Sequence, residues 1–324
     1  MGVYLVPELI KMGYSVDVYS LEEVKSENDK LKYFVGNAVD MTVLKEILKT
    51  KYTAIVDFMI YTEAQFKERY ELFLSATKQY VYLSSYRVYA NEELPIKETS
   101  PRLFDVMEER DKDFFATPDY SLLKAKGEEL LKNSGSKNWT IIRPAVTYSK
   151  RRLQLMTLEG VQFIPRTLKG KKVIVPKEAL SVQGTMSWAG DVAKMIALLI
   201  ENEKALGESF TVSTSEHHSW GEIADYYKEL IGLEIVPVDT EIFLQVISAE
   251  QWRNACRYQL IYDRLFDRVI DNRKILEVTG LKQEDLMPLY EGLKLELSDI
   301  NTNTNWINGS TATDERMDNY LNNL

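Results

Sequence analysis

The apolar positions along the chain follow two periods, one typical of helices and one typical of strands. Apolar residues three or four positions apart predict an amphipathic helix over residues 119–131, directly after Pro118. The same criterion predicts helices over residues 1–13, 63–78, 188–200 and 286–297, and one that opens at Ser219. Alternating or short apolar runs predict strands over residues 14–19, 52–60, 80–89, 139–145 and 207–213. The acidic segment 107–113 predicts a solvated loop, and the Asn- and Thr-rich residues from Ser298 onward predict a mostly disordered tail.

Composition limits the class of protein. The 324 residues suit one large domain, or one domain with a smaller lobe, and 45% of them are hydrophobic. The formal charge of −9 argues against general affinity for nucleic acid or an anionic membrane surface. A single cysteine, Cys256, allows no internal disulfide, and the adjacent His217 and His218 make a poor metal site. We therefore expect a cytoplasmic, metal-free protein without a membrane span or signal peptide.

The helix over residues 119–131 carries a candidate acid/base pair. Tyr120 and Lys124 stand four residues apart and so share one helical face. A free phenol titrates near pH ~10, but a neighbouring ammonium favours the phenolate and lowers its pKa. Tyr290 and Lys294 have the same spacing, so the spacing alone does not choose between the two pairs. The flanking sequence favours Tyr120, because nothing comparable surrounds Tyr290.

That flanking sequence carries a resemblance to a known family. A strand that ends in Ser84 and Ser85 precedes the helix, and a short strand closed by Arg143 and Pro144 follows it. Together with Asp191-Val192-Ala193 and Asp271…Lys274, these features resemble the extended short-chain dehydrogenase/reductase family. Within it the chain is similar to the nucleotide-sugar epimerase/dehydratase branch. The resemblance extends from Gly2 to about Leu297.

The resemblance implies a fold and a division of the chain. The fold expected is α/β, a Rossmann-like doubly wound parallel sheet with a small C-terminal substrate lobe. Residues 1–145 and 180–212 would form the dinucleotide-binding domain. Residues 146–179 and 213–297 would form the substrate lobe, and 298–324 a polar tail. The family commonly dimerises through the Tyr-x-x-x-Lys helix and its neighbour, so a homodimer is expected.

The resemblance also implies catalytic roles. Tyr120, as phenolate, would take a proton from a substrate hydroxyl while a hydride passes to a nicotinamide. Lys124 would lower the pKa of Tyr120 and bind the nicotinamide ribose, and Ser85 would orient the substrate oxygen. The neighbouring hydroxyl, that of Ser84, is expected instead to form a hydrogen bond to the backbone at the strand end.

The cofactor side of the resemblance is incomplete. Gly2 matches the last glycine of the family's glycine-rich turn, but the first strand and the first two glycines have no counterpart. Either Met1 is an internal methionine of a longer natural protein, or the lineage has lost the turn. Ser20 takes the place of the usual ribose-binding acid, and no arginine follows it, which favours NAD over NADP. The expected cofactor-binding residues are Gly2, Ser20, Asn37, Ala38, Phe58, Met59, Tyr120, Lys124 and Pro144. Phe58 and Met59 are bulkier than the family's usual residues there, and core packing is the alternative for them.

The expected substrate is a nucleotide-linked sugar or a similar hydroxyl compound. Its expected contacts are Ser85, Tyr86, Tyr148, Arg151 and Arg268. Arg166, Lys169, Lys171 and Lys172 form a basic stretch that suits a diphosphate, with a solvated loop as the alternative. A different class of function also fits the sequence: a non-catalytic binding or regulatory protein with a degraded cofactor site.

Overall fold

The computed structural model describes residues 1–150, 152–301, 303–304 and 311–323, and it confirms an α/β fold. The strands are β1 Val16–Ser20, β2 Leu31–Val35, β3 Tyr52–Asp57, β4 Thr77–Leu83, β5 Trp139–Ile142, β6 Val146–Tyr148, β7 Gln154–Leu155, β8 Leu158–Glu159, β9 Val173–Pro176, β10 Gln183–Gly184, β11 Met186–Trp188, β12 Glu208–Phe210, β13 His218–Ser219 and β14 Ile235–Val238. The α-helices are α1 Gly2–Lys11, α2 Met41–Ile47, α3 Glu63–Lys67, α4 Tyr70–Ala76, α5 Leu103–Arg110, α6 Lys112–Phe115, α7 Tyr120–Lys132, α8 Gly160–Leu168, α9 Ala189–Leu199, α10 Trp220–Ile231, α11 Thr240–Ile247, α12 Arg253–Gln259, α13 Arg273–Thr279, α14 Leu289–Leu297 and α15 Thr311–Leu321.

The main sheet is parallel, with strand order β12-β5-β4-β3. Its central strands β4 and β5 are almost entirely buried, because helices cover both faces. One face packs against α1, α9 and α13, and the other against α2, α3 and α4. Parallel strands with helices on both faces form the doubly wound arrangement that the sequence predicts.

A second parallel pair, β1 and β2, continues the layer beyond β3 but has no ladder to it among the described residues. Side chains make the connection instead. The Tyr52 hydroxyl donates to Asp17 Oδ2 at 2.9 Å and lies 3.1 Å from the Tyr19 hydroxyl. No residue of β1 or β2 is fully buried, in contrast to β4 and β5.

The second half of the chain adds a lobe built around its own apolar cluster. Two parallel pairs, β6 with β11 and β9 with β14, pack with α8, α10, α11 and α14. This cluster also takes in Tyr86 and Val88, which follow β4, so the lobe meets the sheet at the carboxyl end of that strand. The division of the chain into the domains given above stays a prediction.

Two predicted elements differ in extent. The helix predicted over residues 63–78 is two helices, α3 and α4, because the helical conformation is interrupted at Arg69. The buried Arg69 guanidinium turns inward to donate to the carbonyl oxygens of Gln65 and Val39. The strand over residues 80–89 ends at Leu83, and Tyr86–Val88 form a 3₁₀ turn capped by Ser85.

Two segments expected to be irregular are helical. Residues 107–113 belong to α5 and α6, whose Met107 and Phe114 pack with Leu122 of α7, so the prediction of a solvated loop is wrong. The prediction of a mostly disordered tail is wrong for residues 311–321, which form α15. Its Met317 is fully buried in the lobe, and the Arg316 guanidinium donates to the Val246 and Ile247 carbonyls.

Candidate active site

The helix α7 brings the predicted acid/base pair together. Asp119 caps it by accepting a hydrogen bond from the Ser121 backbone N–H at 2.8 Å, so Tyr120 is the first helical residue. Lys124 lies one turn later on the same face, with its Nζ 5.7 Å from the centre of the Tyr120 ring. The Tyr120–Lys124 geometry expected from the spacing is therefore present.

Ser85 reaches the same place from the end of β4. The Tyr86 N–H donates to the Pro144 carbonyl at 3.0 Å, which holds the turn after β4 against the end of β5. In that turn the Ser85 hydroxyl accepts a hydrogen bond from the Arg87 N–H, and its proximity lowers the pKa of the Tyr120 phenol. The structure thus brings Ser85, Tyr120 and Lys124 into one cluster beside Pro144.

Lys124 is more enclosed than a surface helix residue would be. It is 2% exposed, and its Nζ donates to the Met59 carbonyl at 3.0 Å, in the segment that follows β3. Burial lowers the pKa of Lys124 from 10.5 to about 8, while Asp57 and Glu128 oppose that change. The ammonium is therefore easier to deprotonate than that of an ordinary lysine.

The charges that act on Tyr120 are not the ones expected from the sequence. Burial raises the pKa of Tyr120 above its usual range, whereas Arg87, Arg152 and the nearby Ser85 hydroxyl oppose that change. The Arg87 guanidinium lies 5.5 Å from the centre of the Tyr120 ring. The sequence leads us to expect that Lys124 lowers the pKa of Tyr120. In the structure, the charges that lower it belong to two arginines from other segments, Arg87 and Arg152.

A buried ion-pair network anchors α7 one turn after Lys124, and it does not follow from the sequence interpretation. Glu128 is completely buried, and it accepts hydrogen bonds from Arg143 Nη2 at 2.6 Å and Nε at 2.8 Å. The Ser84 hydroxyl donates to Glu128 at 2.6 Å, and Arg102 Nη1 donates to Glu128 at 3.1 Å. Although Glu128 is buried, chiefly Arg143 lowers its pKa to about 2. The sequence does contain a signal for Glu128, because it follows Lys124 by four positions and so lies one turn along the same helical face.

Three predicted substrate contacts have other roles in the structure. Tyr148 is fully buried, and its ring packs under Gly292, where a Cβ atom would lie only 1.8 Å from the hydroxyl. Tyr86 is buried, and its hydroxyl accepts a hydrogen bond from Arg264 at 2.7 Å. Arg268 is buried too, and it donates to Asp263 and to the Tyr89 and Tyr262 carbonyls instead of pointing to a phosphate. Arg151 lies outside the described residues.

The basic stretch is also only partly as expected. Arg166 is 3% exposed and pairs with Asp314 and Asp318 of α15, and Lys171 pairs with the same two aspartates. These cations neutralise a docked helix, so their assignment to a diphosphate is wrong. Lys169 and Lys172 remain exposed.

The predicted nucleotide-binding residues follow the strands of the first half. Ser20 ends β1, and its hydroxyl donates to the Glu22 carbonyl, while the Asn37 side chain accepts from the Val39 N–H in the turn after β2. Ala38 lies in that turn. Phe58 and Met59 follow β3 and pack against apolar clusters on opposite faces of the sheet, as in the alternative given for them.

These residues fit a dinucleotide at one point in particular. The N-terminus of α1 has no side-chain cap, and a Cβ atom at Gly2 would meet nothing within 4 Å. Exposed backbone N–H groups at a helix N-terminus suit a phosphate. Phe58 is partly buried in the core, and the carbonyl of the next residue, Met59, accepts a hydrogen bond from Lys124 Nζ.

The second Tyr-x-x-x-Lys match is a surface pair. Tyr290 lies on α14 and donates to Glu229 at 2.6 Å.

Among the described residues no group of His, Cys, Asp and Glu is placed to hold a metal ion. In the same ranges no helix has the length and apolar character needed to cross a membrane.

The helix expected to form a dimer interface is largely covered within the chain. The helices α3 and α5 both pack against α7, and from Tyr120 to Leu131 no residue is fully exposed. A dimer through this helix stays a prediction, and the covering helices leave it little surface to offer.

Comparison with solved structures places this geometry in a known fold. An epimerase from Methanothermobacter thermautotrophicus has 13% sequence identity and a TM-score of 0.68, with 92% of this chain and 89% of that one covered. A UDP-glucose 4-epimerase from Thermotoga maritima, solved with UDP-glucose, has 18% identity and a TM-score of 0.64 over 92% and 94% of the two chains. MoeE5, solved with UDP-glucuronic acid and NAD, has 16% identity and a TM-score of 0.64 over 90% and 92%. No protein-family model matches the sequence, and no curated protein matches it.

The chain therefore has the Rossmann-like fold of the extended short-chain dehydrogenase/reductases. Within that class its overall structure is similar to those of UDP-glucose 4-epimerases. At 13–18% identity the likeness concerns the fold, and the chemistry has to be argued from the site.

Proposed function

We propose that the chain is an NAD(P)-dependent epimerase/dehydratase-like enzyme that acts on a nucleotide-linked sugar or a similar hydroxyl compound. The observation that carries this proposal is the convergence of Ser85, Tyr120 and Lys124 from the end of β4 and the start of α7. Ser85, Arg87 and Arg152 all lie close enough to Tyr120 to lower its pKa and so favour the phenolate, as a general base requires.

The roles of the residues follow from these contacts. Ser85 holds the reacting hydroxyl, and Tyr120 accepts its proton. Lys124, already bound to the Met59 carbonyl, has an ammonium placed to donate to a ribose hydroxyl in the same space. An oxidised nicotinamide, when bound, would supply the hydride acceptor. The substrate class and the preference for NAD are supported by the ligands of the structural neighbours and by the absence of an arginine after Ser20.

One observation favours the second candidate, a non-catalytic binding or regulatory protein. Lys124 is buried and its Nζ donates to the Met59 carbonyl, and burial keeps the pKa of Tyr120 above its usual range. A site whose proton acceptor stays protonated binds without turning over.

The deciding experiment combines cofactor titration with the Tyr120→Phe variant. We expect the wild-type chain to bind NAD, and Tyr120→Phe to bind it with similar affinity while turnover falls by about 10²–10⁴-fold, the usual contribution of a general base. Tyr290→Phe is the matched control, because it removes the hydroxyl of the other Tyr-x-x-x-Lys match, and it should be fully active. A fully active Tyr120→Phe variant refutes the catalytic assignment, and a chain that binds neither NAD nor NADP favours the binding role.

A further inference from the structure

Three arginines surround a single buried carboxylate next to the candidate site. Asp263 lies in a π-helical turn, Leu260–Arg264, and is completely buried. Its carboxylate contacts the Arg264 guanidinium directly and lies 3.1 Å from Arg268 Nε and 3.4 Å from Arg87 Nε. One carboxylate therefore serves three cations.

Two of these arginines use their donors inside the protein. The Arg264 guanidinium donates to the Met156 carbonyl and the Tyr86 hydroxyl, both at 2.7 Å, and Glu159 adds a favourable charge to it. Arg268 donates to Asp263 and to two backbone carbonyls. Both side chains are 2–3% exposed, so they hold the lobe against the turn after β4.

Arg87 differs from both. Its Nε is buried and makes no hydrogen bond to any described residue. Its two ion pairs are long, 3.4 Å to Asp263 and 3.6 Å to Asp119. The side chain is 15% exposed, the largest value of the three, and the guanidinium lies over the Tyr120 ring. Guanidinium donors gain most from a bidentate anion, and long ion pairs leave that capacity unused.

We propose that Arg87 determines specificity at this site, by binding an anionic group, a carboxylate or a phosphate, that the substrate carries next to the hydroxyl that Tyr120 deprotonates. The proposal rests on the proposed function, because it places the anion relative to that hydroxyl. The position of Arg87 supports it: its backbone N–H holds Ser85 and its guanidinium covers Tyr120, so a group bound there lies beside the reacting atoms. Arg152 adds a second positive charge near Tyr120.

The test measures ligand affinity by calorimetry, with and without NAD, so that a failure of cofactor binding does not hide the result. UDP-glucuronic acid and UDP-glucose differ only by a carboxylate in place of a hydroxymethyl group, and UDP and uridine differ by the diphosphate. We expect Arg87→Met to weaken binding of the anionic member of one pair about 10–100-fold more than that of its neutral partner, the usual value of charged hydrogen bonds. Arg87→Lys should restore part of the loss. Arg273→Met, which removes an arginine exposed on α13, is the control and should change neither affinity.

The two pairs separate the sources of the anion. A loss confined to UDP-glucuronic acid assigns Arg87 to a sugar carboxylate, and a loss shared by UDP and both UDP-sugars, but not by uridine, assigns it to the diphosphate. A folded Arg87→Met variant that binds all four ligands like the wild type overturns the proposal, as does a wild-type chain that binds none of them. NAD binding by the same samples reports separately on the proposed function.

Discussion

The two halves of the sheet layer are held together by different interactions. The half that carries Ser85 and Tyr120 consists of buried strands and a helix fixed by the fully enclosed Glu128–Arg143 pair. The half that would hold the nucleotide consists of β1 and β2, which are partly exposed and connect to β3 through tyrosine hydroxyls. Because few interactions join the two halves, we expect that each can be perturbed without the other.

The largest expected effect comes from removing the buried carboxylate. Glu128→Ala leaves the buried Arg143 without its counter-ion and removes one of the carboxylate partners of Arg102, and we expect the free energy of unfolding to fall by about 3–5 kcal/mol. The next residue is the control: Glu129 is 35% exposed and pairs with the same Arg102, and Glu129→Ala should cost about 0–1 kcal/mol. Urea denaturation measures both.

The same pair predicts an acid dependence. Because the pKa of Glu128 is lowered to about 2 in the folded chain, its contribution to stability is present above pH 4.5 and is lost as the pH falls towards 2. If Glu128→Ala does not fold, Glu128→Gln replaces it, and this variant should lack that part of the acid transition. Equal costs for Glu128→Ala and Glu129→Ala would contradict the contrast between the halves.

A matched pair of valines tests the packing difference directly. Val81 in β4 is fully buried, and Val81→Ala should cost about 2 kcal/mol through lost burial and a cavity. Val18 in β1 is only partly buried, and Val18→Ala should cost less than about 1 kcal/mol. Urea midpoints at constant m-value give the comparison. A Val18→Ala cost as large as that of Val81→Ala would show that β1 is packed as tightly as the centre of the sheet.

A smaller effect is expected from the charge of Lys124, and it appears only in alkali. The folded pKa of about 8 lies below the ordinary 10.5, so between these values the unfolded chain binds more protons than the folded chain and the cost of burying Lys124 diminishes. The stability of the wild type relative to Lys124→Met should thus be constant below pH 7 and rise by up to about 1 kcal/mol per pH unit towards pH 9.5. A pH-independent difference would mean that Lys124 keeps its ordinary pKa.

The smallest effect concerns the link between the halves. Tyr52→Phe removes the hydroxyl that joins β3 to Asp17 and Tyr19, a loss of about 1 kcal/mol or less for partly exposed hydrogen bonds. We expect amide hydrogen exchange in β1 and β2 to accelerate a few-fold, while β4 and β5 keep their protection. Tyr70→Phe, which removes a hydroxyl that donates to the adjacent Glu71 on α4, should leave both unchanged. Faster exchange in β4 as well would show that the halves open together.

The sequence predicts well where local pattern and local chemistry coincide. The α7 helix, Tyr120 and Lys124 fall on one helical period, so both the element and the pairing follow from neighbouring residues. Arg268 and Tyr148 were assigned to a ligand although the structure buries them, because their partners come from distant segments that the sequence does not bring together. Arg87 was passed over for the same reason, since its partner Asp263 is 176 positions away, from 87 to 263.

The docking of α15 bears on the order in which the lobe can form. Arg166 is separated from its partner Asp314 by 148 positions, and its burial depends on that helix. During synthesis the ribosome releases α8 long before α15 exists, so the lobe passes through a stage with an uncompensated cation and an open site for Met317. Contacts of this sequence separation slow folding. Completion of the lobe therefore waits for a helix whose Asp314 lies 148 positions after Arg166, which leaves the preceding stage exposed to misassembly.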